Sequence, residues 1–163
     1  ARLFNTYGPK LHTDDGRVIS NFIIQSLNNE PISIYGEGTQ TRSFCYVDDT
    51  VNGLIALMNS DYTSPINIGN PNEKTIKEIA ELIIKMTKSN SKLSYEQLPQ
   101  DDPMQRKPCI KKAQKLLNWN PTISLENGLR KTIDYFIQKL HFENGYNSSV
   151  RPPHWIHYPE SHV

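Results

Sequence analysis

The sequence predicts an α/β fold. Three observations carry that expectation: short apolar stretches that stop at Gly or Pro breakers, helical apolar periodicities between them, and the alternation of the two along the chain. Ala1 to Phe4 is the first candidate strand, with Gly8-Pro9 as its breaker. Val18, Phe22 and Ile23 open a helix that can run to Leu27. Ile32 to Tyr35 forms the next strand and stops at Gly36. Val51, Leu54, Ile55 and Met58 share one face of a second helix, with Asp48 and Asp49 before it as candidate caps. Pro65 to Ile68 reads as a strand ended by Gly69-Asn70-Pro71.

Thr75-Ile76-Lys77-Glu78 has the spacing of a capping box, and Ile79, Leu82, Ile83 and Met86 continue it as an amphipathic helix. A strand over Lys92 to Gln97 comes next, then a polar stretch from Pro99 to Pro108 whose three prolines exclude a helix interior. Ala113, Leu116 and Leu117 suggest a short helix that ends before Trp119-Asn120-Pro121. The last helix has Ser124 as its N-cap and Leu129, Ile133, Phe136, Ile137 and Leu140 as its apolar stripe. Residues 1–143 are expected to form the folded unit, and 144–163, with Pro152-Pro153 and Pro159, a flexible tail. Parallel strands need neighbours and covered faces, so such short strands are expected to join a larger sheet lying partly elsewhere.

Composition narrows the function classes. Leu, Ile, Val and Phe make up about a quarter of the 163 residues, above the roughly 20% below which disorder is favoured. Eighteen Lys and Arg against seventeen Asp and Glu leave a formal charge of +1, so there is no basic excess to drive binding to nucleic acid. No apolar run nears the roughly 18 residues that a membrane helix needs. The chain opens on Ala1 with no basic and apolar leader, and reads as part of a longer protein. Cys45 and Cys109 form no CxxC, so neither a disulfide framework nor a zinc site is indicated.

The chemistry-bearing residues gather in loops. Gly36-Glu37-Gly38 lacks the third glycine and following helix of a dinucleotide turn, and reads as a tight turn. Asn5 and Thr6 end the first strand, His12 and Arg17 lie in the loop after it, and Asn21 starts the next helix. Arg42 follows the glycine turn and Arg106 lies in the three-proline loop. Ligands of α/β sheets bind beyond strand ends, and planar guanidinium groups there suit a pyrophosphate. His12 with Asp14 and Asp15 reads as a solvated turn rather than a cation site, and no metal is expected. His154-x-x-His157 and Asn147-Ser148-Ser149 are short matches in the tail.

Arg2-Leu3-Phe4-Asn5-Thr6-Tyr7-Gly8-Pro9 and His12-x-x-Asp15-Gly16-Arg17-Val18-x-Ser20-Asn21-Phe22 resemble the UDP-glucuronate decarboxylase family of extended short-chain dehydrogenases. Ile34-Tyr35-Gly36-x-Gly38-x-Gln40-Thr41-Arg42, Asn67-Ile68-Gly69-Asn70-Pro71 and Asp101-Asp102-Pro103-x-x-Arg106-Lys107-Pro108 are similar to its later motifs. The resemblance runs from Ala1 to about Leu140 and implies the carboxy-terminal part of an extended Rossmann-fold dehydrogenase: the last cofactor-domain strands with a small α/β substrate-binding subdomain. It implies UDP-glucuronate as substrate, NAD as cofactor, and formation of UDP-xylose and CO2 through a 4-keto sugar. A 4,6-dehydratase or 4-epimerase half, or a non-catalytic chain that binds nucleotide sugar or pairs with a full-length subunit, are the alternatives.

By the same resemblance Thr6, His12 and Arg17 face the cofactor. Asn5, Asn21, Tyr35 and Arg42 hold the uridine diphosphate, and Arg106 reaches the substrate as the catalytic candidate. Cys109 stands where the family has Asp. The family's Gly-rich turn and Tyr-x-x-x-Lys pair are expected upstream of Ala1, so this part alone is expected to be inactive. Tyr7, Tyr35, Tyr46, Tyr62 and Tyr95 have no lysine four residues on. A homodimer and a Golgi location through an upstream membrane anchor are implied too, with the cytoplasm as the alternative.

Overall fold

A computed structural model describes residues 1–13, 15–98 and 103–143, and the expected tail lies outside them. The strand expected over Ala1 to Phe4 is present at its centre, and a second strand follows it at Thr6–Tyr7. β1 (Arg2–Leu3) and β2 (Thr6–Tyr7) are separated by Asn5, whose φ of 38° turns the backbone between them. β1 pairs in parallel with β6 (Asn67–Ile68), and β2 pairs in parallel with β5 (Cys45–Tyr46). The Asn5 side chain holds this switch by donating from Nδ2 to the Ser43 carbonyl at 2.9 Å, and its own carbonyl accepts from the Cys45 N–H at 3.2 Å. Asn tolerates the left-handed region better than most residues, which explains why it stands at the turn.

β3 (Ile32–Tyr35) pairs in parallel with β8 (Leu93–Glu96). Ile32 and Ile34 point into the core, so alternation puts one face of the strand inside. β4 (Thr41–Ser43) lies at the centre of a three-stranded sheet, antiparallel to β7 (Glu73–Thr75) and parallel to β9 (Gln105–Arg106). The Pro99 to Pro108 stretch therefore holds a short strand in place of a continuous loop. Strands β4, β5, β7 and β9 have two or three residues each and are polar or mixed, so hydrophobic patterning does not reveal them. The described strands fall into four sheets of two or three strands.

The helices are α1 (Val18–Leu27), α2 (Val47–Met58), α3 (Ile76–Thr87), α4 (Lys111–Leu117) and α5 (Leu125–Glu143). Thr75 and Glu78 form the expected capping box: Thr75 Oγ1 accepts from Glu78 N at 3.1 Å and Glu78 Oε2 accepts from Thr75 N at 2.8 Å. Ser124 Oγ accepts from Asn127 N at 3.2 Å and caps α5 as expected. The expected caps of α2 are corrected. Its N-cap is Tyr46, and Asp48 and Asp49 lie inside its first turn. One hydrophobic core joins Ile19, Phe22 and Ile23 of α1, Ile79 and Ile83 of α3, and Leu129, Ile133, Phe136 and Ile137 of α5 over β3. A second core, around Cys45, Ile66, Ile68, Ile110, Ala113 and Trp119, sits beneath α2 and α4. Full burial of each Leu, Ile or Phe side chain among them contributes about 1.5–3 kcal/mol, which fixes the helices as supports for the polar sheet.

Candidate functional site

The site is built on β4. Side chains alternate across a sheet, and residues in register on neighbouring strands share a face. Arg42 is in register with Lys74 of β7 and with Arg106 of β9, so three cations line up across one face. Like charges directly opposite each other destabilise a sheet. This row is therefore a poor choice for stability and a good one for an anion. Lys74 is partly neutralised by Glu78 at 3.3 Å. Arg42 is only 8% exposed, and its Nη1 donates to the Thr41 carbonyl at 2.8 Å.

Arg42 is common to three clefts. Asn5, Thr6, Arg17 and Arg106 share with it a cleft of about 520 Å³. Asn21, Tyr35 and Gln40 share with it another of about 520 Å³. Phe44, Asn70, Asn72 and Lys74 line a third of about 440 Å³ that ends at the start of α5. Each lies within the usual range for small-molecule sites. The structure thus brings together seven of the residues expected from sequence: Asn5, Thr6, Arg17, Asn21, Tyr35, Arg42 and Arg106. His12 is exposed on its loop and lines none of the three clefts.

Local hydrogen bonds set these side chains. Thr6 Oγ1 and Thr50 Oγ1 are hydrogen-bonded at 3.1 Å, tying the strand to α2. Asp15 accepts from Arg17 N at 3.0 Å and closely from the Ser20 hydroxyl, while the Arg17 guanidinium lies 3.5 Å from its other oxygen. That carboxylate positions the start of α1, where Asn21 sits. Gly36 and Gly38 adopt φ of 62° and 71°, so the expected tight turn is present, and it carries the chain back from β3 to β4. Gln40, buried beside the turn, donates to the Tyr35 carbonyl at 2.9 Å and couples the two cleft walls. Burial raises the Tyr7 phenol far above its ordinary range, with Cys45 and Tyr46 adding to the shift, and its hydroxyl donates to the Leu125 carbonyl at 3.2 Å.

Sequence reasoning missed Lys74 and Gln40. Lys74 sits in a polar stretch between the Gly69-Asn70-Pro71 turn and the capping box, and only sheet register links it to Arg42. A Tyr-x-x-x-Lys spacing was also passed over, at Tyr135 and Lys139 of α5. Tyr135 packs edge-on against Phe136 at 5.5 Å beside the main core and lines none of the three clefts. No group of three His, Cys, Asp or Glu that could hold a metal is found among the described residues, and Asp14 lies outside them. For a dinucleotide, Leu3, Thr6, Leu11 and Arg17 offer one mixed apolar and polar wall. They fit one side of such a cofactor, and the sequence has no Gly-x-Gly-x-x-Gly turn to cradle its pyrophosphate.

The chain is similar to known proteins in sequence and in fold. The family model described as the NAD dependent epimerase/dehydratase family matches residues 1–69. UDP-glucuronic acid decarboxylase 1 of Xenopus tropicalis is 51% identical over 154 residues, covering 93% of this chain and 37% of that protein. The Danio rerio protein of the same name is 53% identical over 140 residues, covering 86% of this chain and 34% of that one. The chain thus spans about a third of the length of the curated relatives it matches. Among solved structures, the UDP-glucuronic acid 4-epimerase of Bacillus cereus in complex with UDP-glucuronic acid and NAD matches with a TM-score of 0.78 at 33% identity. It is covered over 44% of its length by 85% of this chain. The UDP-glucose 4-epimerase of Thermotoga maritima, solved with UDP-glucose, matches with a TM-score of 0.82 at 29% identity, covering 85% of this chain and 45% of that one. From these likenesses and the shared α/β architecture, this chain is similar to the NAD dependent epimerase/dehydratase family over residues 1–69 and, along most of its own length, to about a third of the UDP-glucuronic acid decarboxylases.

Proposed function

We propose that this chain is the nucleotide-sugar-binding part of a UDP-glucuronate decarboxylase, which forms UDP-xylose and CO2. The observation that carries the reading is the in-register row of Lys74, Arg42 and Arg106 at the junction of the clefts. A diphosphate meets that row with its negative charge, and guanidinium groups can each donate paired bonds to it. Asn21 and Tyr35 receive the uridine in the cleft beyond Arg42, and Asn5 borders the diphosphate from the other side. Arg106 sits at the sugar end and is the catalytic residue, placed against the charge of the departing carboxylate.

NAD, when bound, supplies the redox chemistry that converts the C4 hydroxyl of the sugar to a ketone and back. With C4 oxidised, the C6 carboxylate lies β to a carbonyl and leaves as CO2, its electrons passing into an enolate. This chain's contribution is to orient the nucleotide sugar, to neutralise its charges and to offer Thr6 and Arg17 as one wall for the cofactor. His12 is assigned to the cofactor side by resemblance alone. The likeness to 4-epimerases in solved structures favours a second reading, in which the carboxylate is retained.

Incubating the full-length polypeptide that carries this sequence with UDP-glucuronate and NAD⁺ separates the two. Release of CO2 with formation of UDP-xylose is expected. Recovery of a nucleotide sugar that keeps its carboxylate overturns the decarboxylase reading. A homodimer and residence in the Golgi, through a membrane anchor outside this chain, belong to the same proposal; the dimer rests on the family resemblance as a whole, and the location on the likeness of Ala56 to Ser60 to animal members. Light scattering of the purified protein and microscopy of the tagged full-length protein test them. No helix among the described residues is long and apolar enough to cross a membrane.

A further inference from the structure

We infer that Glu73 is a positioning residue for Arg106, acting from the opposite face of the β4 sheet on the two residues that flank it. The inference rests on the role proposed above for Arg106. Strand alternation sends Arg42, Lys74 and Arg106 to the cleft face, and Thr41, Glu73, Gln105 and Lys107 to the other. On that second face the Glu73 carboxylate is the hub of three strands. Its Oε1 accepts from Thr41 Oγ1 at 2.7 Å. Gln105 Nε2 lies 2.8 Å from Oε1 and 3.0 Å from Oε2, and Lys107 Nζ lies 3.2 Å from Oε2.

β9 needs such a clamp. It has two residues and, among the described strands, pairs with β4 alone. Beside that pairing, Thr41 N donates to the Met104 carbonyl at 2.9 Å, and Ser43 Oγ meets the Arg106 carbonyl only at 3.4 Å. Pro103 and Pro108 bracket the segment and have no N–H groups to add. Gln105 and Lys107 are therefore gripped by one carboxylate immediately before and after Arg106, which holds its Cα while its side chain lines the cleft on the other face. A long cation aimed at a reacting group gains most from a fixed base, because little motion then remains to be frozen on binding. The bonds from Thr41 and Gln105, with Lys107 adjacent, hold the Glu73 carboxyl below the usual carboxylate range, so it is charged at neutral pH.

Two measurements on the full-length protein test the clamp. In Glu73→Ala, amide hydrogen exchange at residues 104–107 is expected to rise by roughly tenfold or more while α5 is unchanged, because charge-assisted bonds are lost at that one place. Affinity for UDP-glucuronate, measured by calorimetry, is expected to fall roughly tenfold in Glu73→Ala and not to fall further when the same change is made in an Arg106→Ala background. Glu73→Gln, which keeps an oxygen for Thr41 and loses the charge facing Lys107, moves both readouts in the same direction if Glu73→Ala folds poorly. Unchanged exchange at 104–107, or an affinity loss that persists undiminished without Arg106, overturns the inference. A wild-type protein that binds no UDP-sugar overturns the proposed function instead, and the exchange readout still decides whether Glu73 clamps the segment.

Discussion

Asp49→Asn distinguishes a helix cap from a cross-link. Asp49 is 2% exposed. Its Oδ1 accepts from Thr122 N at 3.0 Å and Thr122 Oγ1 at 3.1 Å, and its Oδ2 accepts from Ile123 N at 2.9 Å. These bonds pin α2 to the loop before α5, which walls the third cleft. Asn ranks with Asp as an N-cap, so a capping role predicts almost no change. In the observed network, an Asn that keeps its oxygen on Thr122 turns an NH2 group toward the N–H of Ile123. One charge-assisted bond is lost and two donors meet in a buried place, a cost of about 2 kcal/mol. For a chain of this size that lowers the melting temperature by about 4–8 °C. Thermal denaturation followed by circular dichroism measures it. Trp119 provides an internal control, since its Nε1 donates to the Asp49 backbone carbonyl at 3.0 Å, which the substitution leaves in place. A melting temperature within about 1 °C of wild type refutes the cross-link.

Arg42→Ala is expected to weaken UDP-glucuronate binding by roughly ten- to a hundredfold through loss of charge-assisted bonds, with uridine binding much less affected; calorimetry with both ligands checks it. Gly128→Ala places a methyl group on the Tyr7 hydroxyl and 2.8 Å from Tyr46 Cδ2, so the helix gain of about 1 kcal/mol is outweighed by overpacking of about 1–3 kcal/mol and loss of the Tyr7 bond to Leu125. Urea titration should show net destabilisation, and adding Tyr7→Phe should recover part of it. Glu73 and Glu78 are both held below the ordinary carboxylate range, by side-chain bonds from Thr41 and Gln105 and by the Thr75 N–H respectively. Their contribution is present above the unfolded carboxylate value and is lost as pH falls through the folded one, so the slope of stability against pH below about pH 4.5 should flatten in the Glu73→Gln, Glu78→Gln double variant.

The legible parts of the fold have a physical reason. Apolar periodicity repeats over several turns in α1, α3 and α5, and a capping box marks its helix start within four residues. Arg42 and Arg106 stood out because charged residues at strand ends have few structural reasons to be there. Strands of two or three residues carry no such signal, because one polar and one apolar position match every pattern. So β4 and β9 stayed hidden, and with them the partnership of the two arginines. Asp49 was misread for a related reason: an acidic residue before an apolar run has the local form of a cap, while its partners lie more than seventy positions away.

The sequence by itself determined the α/β class, the helices, the tight glycine turn and the set of loop cations, since each depends on local periodicity or on residue chemistry. Tertiary structure decided which of these meet. Register across β7, β4 and β9 placed Arg42 between Lys74 and Arg106, and sent Glu73 to the reverse face. Such neighbours are chosen by backbone hydrogen bonds between distant segments, and those bonds leave no mark on the order of side chains along the chain.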